Sequence, residues 1–531
     1  MAVGGWRLVV GTSCQPPTVF LSVRQIVKPC YNNAMQQLTL PFIPPAPAPT
    51  LTQESFSHNG VCREQARLEL ERRYGPLLQE TAVFNRQIVS FQANKTETLH
   101  SWIKYREGFS AQLVELLLQE FGIQPGETVL DPFAGSGTTL LTAQMLGIDA
   151  VGIELLPHCH LAWEAKTAVF AYDLAELTAV RQKIQTEQPP PVTEPFPHLT
   201  ITESAFPPEN ERALMAYTRW FEQMDVSPLA RQLCRATLMS ILEEVSYTRK
   251  DGQYLRWDGR AAKIIQRNQI RLSQNKKPVK GIHKGEIPAI RDAFLQKFNR
   301  ILRDIARLQA DNGAGGQQEL IAGNTLYTLP ALVDGRFQAV ITSPPYANRY
   351  DYTRTYALEL AWLGVNEDIF RLRQDMLSCT VENKPKLDKL RRFYHSIGRE
   401  DAFERITAVW QANDALQEIN EALQTRDQLG QINNKGILNM IRQYFAEMTF
   451  VFAELYRICA SGAYVAVVND NVRYAGEVIP VDLLSTNLAE AVGFRPVKIY
   501  VLPQRKGNSS QQMGRYGRRA LRKSITIWQK P

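Results

Sequence analysis

Two short loops concentrate the residue types that could do chemistry. The first is the run Asp131–Thr139 (DPFAGSGTT), between a predicted strand and a predicted helix. Glycines let the backbone approach a ligand closely, and the N-terminus of the following helix favours polar or anionic groups. Glu154 ends the next predicted strand, 19 positions after Gly135. An acid at that distance is what a ribose-binding βαβ unit needs to accept both sugar hydroxyls. Taken alone, the pattern also fits an ordinary tight turn. A phosphate-binding P-loop is excluded because no Gly-Lys-Ser/Thr follows.

The second loop is Thr342–Tyr346 (TSPPY), at the end of an apolar predicted strand. Two prolines fix a rigid turn and leave the carbonyls of Ser343 and Pro344 without a strand partner. Tyr346 then presents a flat aromatic face. A hydroxyl, a free carbonyl and a ring could together hold an amino-bearing base. A structural Pro-Pro turn packed by a tyrosine is the alternative, and it would be preferred if this loop stood alone.

Together and in this order, the two loops resemble those of the amino-group (N4-cytosine/N6-adenine) DNA methyltransferase family. The resemblance covers residues 95–160 and 318–350 closely and residues 437–531 loosely. It implies that S-adenosylmethionine is the cofactor and that the second loop holds the target base through its catalytic residues Ser343, Pro344, Pro345 and Tyr346. The cofactor residues that it implies are Tyr105, Phe109, Asp131, Pro132, Phe133, Ala134, Gly135, Ser136, Gly137, Thr138, Glu154 and Asn324. Asn324 departs from the family, which usually has Asp there.

The implied reaction is methyl transfer to a base that has been flipped out of the duplex. The hydroxyl of Ser343 and the carbonyl of Pro344 would accept hydrogen bonds from the exocyclic amino group and orient its nitrogen. Serine before Pro-Pro-Tyr is commoner in N4-cytosine enzymes and aspartate in N6-adenine enzymes, so the resemblance favours N4 of cytosine. Three alternatives remain: N6-adenine methylation, methylation of an RNA base, and a catalytically silent DNA-binding protein.

The alternation of strands and helices predicts an α/β fold, a doubly wound Rossmann-like methyltransferase sheet with helical insertions. We expect the segments to be divided as follows: a poorly structured extension (1–60), the cofactor-binding part (61–160), an insertion that could recognise the target (161–317), the catalytic-loop part (318–364), a helical insertion (365–435) and the C-terminal part (436–531). An amphipathic helix is predicted over Ser101–Phe121, an apolar strand over Phe337–Thr342 and a long helix around Ile437–Ile458.

Together with the resemblance to DNA methyltransferases, the charge distribution favours double-stranded DNA as the partner. The chain of 531 residues has a formal net charge of +8, which by itself is weak evidence. Positive residues cluster between Arg249 and Lys284, and again from Arg495 to the end with no acid. Either run alone could be a solvated face. The expected DNA-binding residues are Arg256, Lys263, Arg267, Arg505, Lys506, Arg515, Arg518 and Arg519.

The remaining composition is that of a soluble, cytoplasmic protein. Hydrophobic residues make up 44% of the chain, and no stretch approaches the ~20 apolar residues of a membrane helix. The seven cysteines form no C-x-x-C pair, which favours a reducing compartment and no metal. His158 and His160, which flank Cys159, are expected to be a surface pair because no further metal-ligand spacing accompanies them. The stretch before Met35 lacks the layout of a secretory signal, and we expect Met35 to be the true start. A restriction endonuclease is a possible partner of a DNA methyltransferase of this kind.

Overall fold

Both loops lie at the carboxyl ends of strands in a central sheet of eight strands. The computed structural model describes residues 51–81, 83–252, 254–311, 315–503, 516–517 and 519–531. The strands in chain order are β1 (Leu78–Glu80), β2 (Thr128–Asp131), β3 (Asp149–Glu154), β4 (Thr248–Asp251), β5 (Tyr254–Trp257), β6 (Gln318–Ala322), β7 (Phe337–Thr342), β8 (Cys459–Asp470), β9 (Val472–Tyr474), β10 (Glu477–Ile479), β11 (Arg495–Val501) and β12 (Lys523–Gln529). Strands β4–β5 and β9–β10 form two separate antiparallel pairs.

The order of strands in the sheet is β1-β11-β12-β8-β7-β2-β3-β6. Neighbours are parallel except at β12, which runs antiparallel to both β8 and β11. From β2 the chain proceeds outward through β3 to β6, and it then returns to β7 on the other side of β2. The direction of winding therefore reverses between β2 and β7. Ligands of doubly wound sheets bind at the carboxyl ends of the strands at such a point.

Helices cover both faces of the sheet and build the insertions. They are α1 (Gln65–Tyr74), α2 (Ala111–Phe121), α3 (Thr138–Met145), α4 (Pro157–Thr167), α5 (Leu174–Thr186), α6 (Pro208–Gln223), α7 (Pro228–Ser240), α8 (Ala262–Ser273), α9 (Ile290–Ala310), α10 (Thr325–Thr328), α11 (Tyr352–Thr355), α12 (Ala357–Trp362), α13 (Ile369–Asp375), α14 (Leu387–Ser396), α15 (Glu400–Gln411), α16 (Asp414–Gln428), α17 (Gly436–Ile458) and α18 (Val481–Ala491). Leu233 and Phe294 of the first insertion share an apolar core with Trp362, which lies in the catalytic-loop part.

The predicted α/β class and the doubly wound sheet are confirmed. Strand β7 has the predicted bounds, Phe337–Thr342, and the long helix expected around Ile437–Ile458 is α17. The two stretches predicted to be helical insertions contain α5–α9 and α13–α16. The short strand β1 and the pairs β4–β5 and β9–β10 were not predicted.

The predicted helix over Ser101–Phe121 is wrong in its first half. Helix α2 begins at Ala111, because the side chain of Ser110 accepts a hydrogen bond from the backbone N–H of Leu113 and caps the helix. The side chain of Asn94 donates to the carbonyl of Phe109 and accepts from the N–H of Ala111. Residues 101–110 are therefore held as a loop against the sheet.

The prediction of a poorly structured extension over 1–60 is wrong for its described part. The side chain of Phe56 is fully buried, and its carbonyl accepts from the N–H of Val478. The carboxylate of Glu64 accepts from the N–H groups of Phe56 and Ser57. These contacts fix residues 51–60 on the C-terminal half of the domain. Residues 1–50 lie outside the described residues.

Candidate active site

The carboxylate of Asp131 joins the two loops. Strands β2 and β7 are neighbours, so Asp131 at the end of β2 lies beside Thr342 at the end of β7. One carboxylate oxygen accepts from the hydroxyl of Thr342 at 2.7 Å, and the other accepts from the hydroxyl of Thr139 at 2.8 Å. The backbone N–H of Phe133 adds a third hydrogen bond at 3.1 Å. Asp131 therefore positions the two loops relative to each other.

Burial raises the pKa of Asp131 to about 6, although the two threonine hydroxyls and the N–H of Phe133 oppose the shift. The side chain is almost fully buried. Because these three donors stabilise a carboxylate, the ionised form is the one that holds the loops together at neutral pH.

Gly135 and Glu154 form the floor of the first loop. The N–H of Gly135 donates to one carboxylate oxygen of Glu154 at 2.7 Å, and the N–H groups of Leu155 and Leu156 donate to the other. Desolvation raises the pKa of Glu154, while these backbone donors oppose the shift. Gly135 has φ +53, and a Cβ there would lie 2.6 Å from the ring of Tyr105. The position thus requires glycine both for its backbone conformation and for the close approach of Tyr105.

A buried lysine supports the same loop from behind. The ammonium of Lys166, on α4, donates to the carbonyl of Ser136 at 2.6 Å. Burial lowers the pKa of Lys166 to about 7. The loop therefore rests on a side chain that the sequence did not single out.

Both loops open into one pocket. Its lining includes ten of the twelve predicted cofactor residues and two of the four predicted catalytic residues: Tyr105, Phe109, Asp131, Phe133, Ala134, Gly135, Ser136, Thr138, Glu154, Asn324, Ser343 and Pro345. The site-residue assignments themselves stay predictions, but the fold brings these residues to one place.

Four predicted residues are not part of this lining. The carbonyl of Pro132 accepts from the hydroxyl of Thr325 at 2.6 Å. Gly137 has φ +82, and a Cβ there would lie 2.4 Å from the ring of Trp163, so this glycine serves packing. Pro344 and Tyr346 belong to the rigid turn that carries Ser343 and Pro345.

The second loop is braced on both sides. The hydroxyl of Ser343 donates to the hydroxyl oxygen of Tyr346 at 3.0 Å. The ammonium of Lys523 lies 5.5 Å from the centre of the Tyr346 ring. Behind the loop, the buried hydroxyl of Tyr474 donates to the carbonyl of Ala347 at 2.7 Å. Among the described residues, no N–H or hydroxyl donates to the carbonyl of Pro344. A hydroxyl and a carbonyl acceptor thus lie together beside an aromatic ring.

Asn324 is a structural cap as well as a lining residue. Its side-chain oxygen accepts from the N–H of Leu326 at 2.9 Å and starts α10, and its amide donates to the carbonyl of Asp375 at 2.6 Å. The side chain therefore couples the pocket to the second insertion.

Several lining residues were missed in the sequence. Asp375, Met376 and Leu377 come from the 365–435 insertion, for which no role was predicted. Glu107, also in the lining, accepts hydrogen bonds from the hydroxyls of Tyr350 and Tyr356. The tyrosine-rich stretch after the second loop was a usable signal for this cluster. The insertion residues carried no such signal.

His158 occupies the interior, where the sequence had suggested a surface pair of histidines. It is buried, and its ring stacks on that of Tyr356 with centroids 4.4 Å apart. The ring of Tyr105 also stacks on that of Tyr356, with centroids 5.4 Å apart, and lies 6.3 Å from the ring of His158. Burial lowers the pKa of His158 well below its usual value, so it is neutral at pH 7. Tyr356 and His158 therefore support the ring of Tyr105, which lines the pocket.

The residues predicted to bind DNA have different surroundings. Arg256 and Arg267 are exposed, and Arg256 pairs with Asp251. Lys263 instead packs 3.9 Å from the ring centre of Trp257, and its ammonium donates to the carbonyl of Ile201. Arg519 is half-buried. Arg505, Lys506, Arg515 and Arg518 lie outside the described residues.

The site has the donors and acceptors that an adenosyl amino-acid cofactor requires. Glu154 supplies a buried carboxylate at the end of β3, and Gly135 supplies a cradle that a Cβ would fill. Aromatic and apolar side chains, including Phe133 and Leu326, form the walls. The fold and site together define a doubly wound, Rossmann-like class of protein in which both loops open into one pocket at the carboxyl ends of the strands.

Comparisons with known proteins agree with this class. The family model described as DNA methylase (N6_N4_Mtase) matches residues 64–164. The chain is 53% identical over 487 residues to the Type II methyltransferase M.BsoBI of Geobacillus stearothermophilus, covering 91% of this chain and 96% of that protein. It is 40% identical over 473 residues to the Type II methyltransferase M.AvaI of Nostoc sp., covering 87% and 92%. The chain therefore belongs to the N6/N4 amino-group family of DNA methyltransferases.

Within the described part of the chain, no helix has the length and apolar character needed to cross a membrane.

Proposed function

We propose that the protein is a type II, S-adenosylmethionine-dependent methyltransferase that modifies N4 of cytosine in double-stranded DNA. The observation that carries the proposal is the shared pocket, in which Ser343 and Pro345 of the second loop face the same space as Gly135 and Glu154 of the first. The cofactor supplies an activated methyl group, so the protein's task is to bring one amino nitrogen into line with it.

The cofactor would lie along the first loop. Glu154 would accept from the ribose hydroxyls with the capacity left after three backbone hydrogen bonds. Tyr105 and Phe109 would contact the methionine part. The apolar wall from Met376 and Leu377 would cover the site. Excluding water there strengthens each polar contact with the ligand.

The second loop would hold the flipped base. The hydroxyl of Ser343, which donates to Tyr346 in this structure, would turn to accept from the exocyclic amino group. The carbonyl of Pro344 would accept the second amino proton, and Tyr346 would stack on the ring. Two acceptors fix the amino group and direct its nitrogen towards the methyl donor, so no strong base is needed.

Cytosine is proposed over adenine because Ser343 stands at the first position of the loop, where the adenine enzymes more often have aspartate. N6-adenine methylation is the second candidate, because the same two acceptors would suit either amino group. The RNA alternative is disfavoured by membership in a family of DNA methylases.

The product identifies the base. DNA from a host that expresses the wild type should contain N4-methylcytosine by nucleoside mass spectrometry, and Tyr346→Ala should abolish the mark. N6-methyladenine in place of N4-methylcytosine would overturn the choice of base but leave the loop's role intact. If neither mark is formed and purified protein binds no S-adenosylmethionine, the catalytically silent alternative is correct.

Cofactor binding has its own test at Gly135. We expect Gly135→Ala to weaken S-adenosylmethionine binding at least tenfold by calorimetry, because the new Cβ meets the Tyr105 ring at 2.6 Å. Gly122→Ala is the matched control, since Gly122 has φ +70 but nothing within 4 Å of an added Cβ. It should share the backbone strain, about 1–2 kcal/mol, and leave cofactor affinity unchanged. Equal affinity in the two variants would contradict the proposed cofactor site.

The biological setting follows from the relatives. M.BsoBI and M.AvaI are named as Type II methyltransferases, so we propose that this protein is the modification enzyme of a restriction–modification system with a cognate endonuclease. The described cysteines are all free, which suits the reducing cytoplasm where such a pair would act.

A further inference from the structure

Large apolar side chains are exposed together on one part of the first insertion. Among the described residues, ten large hydrophobic side chains are exposed, and four of them lie within residues 254–272. These are Tyr254 of β5 and Ile265, Ile270 and Leu272 of α8, which are 47–58% exposed. A helix with this many exposed large apolar side chains is suited to contact a partner.

Eight of the twelve residues of helix α8 are exposed to solvent. Only Ile264 of its twelve residues is buried. Gln266 and Gln269 lie at the centre of the exposed arc, with Ile265 and Leu272 on one side and Arg267 and Ile270 on the other. The outward face therefore combines amides, a guanidinium and branched apolar groups.

The back of α8 is braced, so its outward face is held in place. The side chain of Asn268 makes two hydrogen bonds to the backbone of Val279, and Arg271 donates to the carbonyl of Lys277. The strand end at Asp258 bridges to Ile282. The segment after the helix thus folds back behind it as a support.

The charge of this region selects an anionic partner. Residues 259–285 contain eight lysines and arginines and no acid. Arg267, Lys277 and Lys280 are exposed. A protein interface with this charge would need a strongly acidic counterpart, whereas the phosphate backbone of DNA supplies one directly.

The β4–β5 hairpin, which precedes α8, is attached to side chains that lie next to the pocket. On β4, the buried ammonium of Lys250 pairs with Glu359 of α12 and lies 4.2 Å from the ring centre of Tyr356. Tyr356 in turn donates to Glu107 of the pocket. Arg106 adds an ion pair to Glu243 just before the hairpin. DNA on α8 would therefore be positioned relative to the base in the pocket.

We propose that α8, carried by the β4–β5 hairpin, is the element that reads the DNA sequence, inserted in the major groove with Gln266 and Gln269 towards base edges. A helix fits that groove, glutamine pairs with adenine, arginine pairs with guanine, and apolar groups contact the thymine methyl. This proposal rests on DNA as the substrate, and it is independent of which amino group is methylated.

The test begins by sequencing the methylated DNA of a host that expresses the wild type, which defines the recognition sequence. Gln266→Ala/Gln269→Ala should then lower kcat/KM on a duplex with that sequence by about 10- to 100-fold. The variant should also accept other bases at one or two positions, with unchanged S-adenosylmethionine affinity. Gln424→Ala/Gln428→Ala is the matched control, because both residues are exposed on α16, and it should behave as wild type.

A second variant separates base reading from phosphate contact. Arg267→Ala should weaken binding to specific and non-specific duplexes alike if it contacts phosphate, and reduce the salt dependence by about one ion. Wild-type kcat/KM and an unchanged recognition sequence in the glutamine double variant would overturn the proposal. A changed oligomeric state with unaltered DNA binding would overturn it too, in favour of a protein interface. If the wild type itself methylates adenine, the proposed base is wrong, and the recognition test still applies.

Discussion

At the scale of single residues, the carboxylate of Asp131 joins the cofactor loop to the loop that would hold the base. Its two oxygens accept from Thr139 and Thr342, one on each loop. A change of charge at this one position should therefore alter both the free energy of unfolding and the alignment of the two loops.

Asp131 should make the stability of the fold depend on pH in a particular direction. Its pKa rises from 3.8 to about 6 on folding, so the folded state binds the proton more tightly than the unfolded state. Stability from this group is present at low pH and is lost as pH rises through about 6. The loss is about 3 kcal/mol, since each pKa unit corresponds to about 1.4 kcal/mol.

Comparison with Asp131→Asn isolates this effect, because asparagine does not titrate. The unfolding free energy of the wild type minus that of the variant should fall by up to about 3 kcal/mol between pH 4 and pH 7, measured by denaturant titration. A difference that does not change with pH would mean that Asp131 is not desolvated as the structure has it.

The two loops stand out in the sequence because the chemistry proposed for them requires particular residue types at fixed spacings. Gly135 and Glu154 lie 19 positions apart in the sequence and are joined by a hydrogen bond in the fold. Glu107 and Lys166 could not be predicted in the same way. Each acts through burial and through partners distant in sequence, which a single sequence does not reveal.

At the scale of elements, the second insertion contributes to the pocket through a buried ion pair. The ammonium of Lys386 lies 3.0 Å from the carboxylate of Glu447 on α17. Glu447 also accepts from the backbone N–H of Ser378 at 2.8 Å. Ser378 follows Leu377, so the pair fixes one wall of the pocket.

We expect Lys386→Met to destabilise the protein by about 3–5 kcal/mol, because it leaves the carboxylate of Glu447 buried and unpaired. Cofactor affinity should fall with it, since the wall at Met376 and Leu377 loses its anchor. Denaturant unfolding and cofactor titration measure the two effects.

Arg371→Met is the control within the same insertion, because Arg371 makes an exposed pair with Asp368. Its effect should stay within about 0.5 kcal/mol. If Lys386→Met were as mild as this control, the ion pair would not support the wall.

Elements were predictable where periodicity extends over enough residues. Strand β7 and helix α17 have long apolar patterns, and both were found as expected. Strand β1 has three residues, too few to show an alternating apolar pattern in the sequence. It is a strand because it pairs in parallel with β11. Helix α8 was not predicted, because it lies within a run of positive residues and most of its apolar residues face outward instead of marking a buried side.

At the scale of the whole molecule, the two ends of the described chain are locked together. Arg522, just before β12, lies 2.9 Å from Glu71 of α1 and 3.0 Å from Asp482 of α18. All three side chains are buried. The C-terminal basic run had suggested a DNA contact here, yet this arginine is structural.

Arg522→Met should therefore cost about 3–5 kcal/mol of unfolding free energy, because two carboxylates lose their common partner in the interior. Arg72→Met removes an exposed pair with Glu69 on α1 and should change stability by less than about 1 kcal/mol. Thermal and denaturant unfolding of the two variants, measured under the same conditions, would compare their losses of stability. Equal stabilities would contradict the proposed lock.

The strand order also has a consequence for synthesis on the ribosome. Leu78 of β1 pairs with Ile499 of β11, and β11 is held in the sheet by β12, which follows it in the sequence. Strand β1 therefore lacks its sheet partner until β11 and β12 have been made. Such long-range closure slows folding and exposes the nascent chain to aggregation. We expect the yield of active enzyme in a cell to be governed by translation speed and chaperone supply more than by the stability of the finished fold.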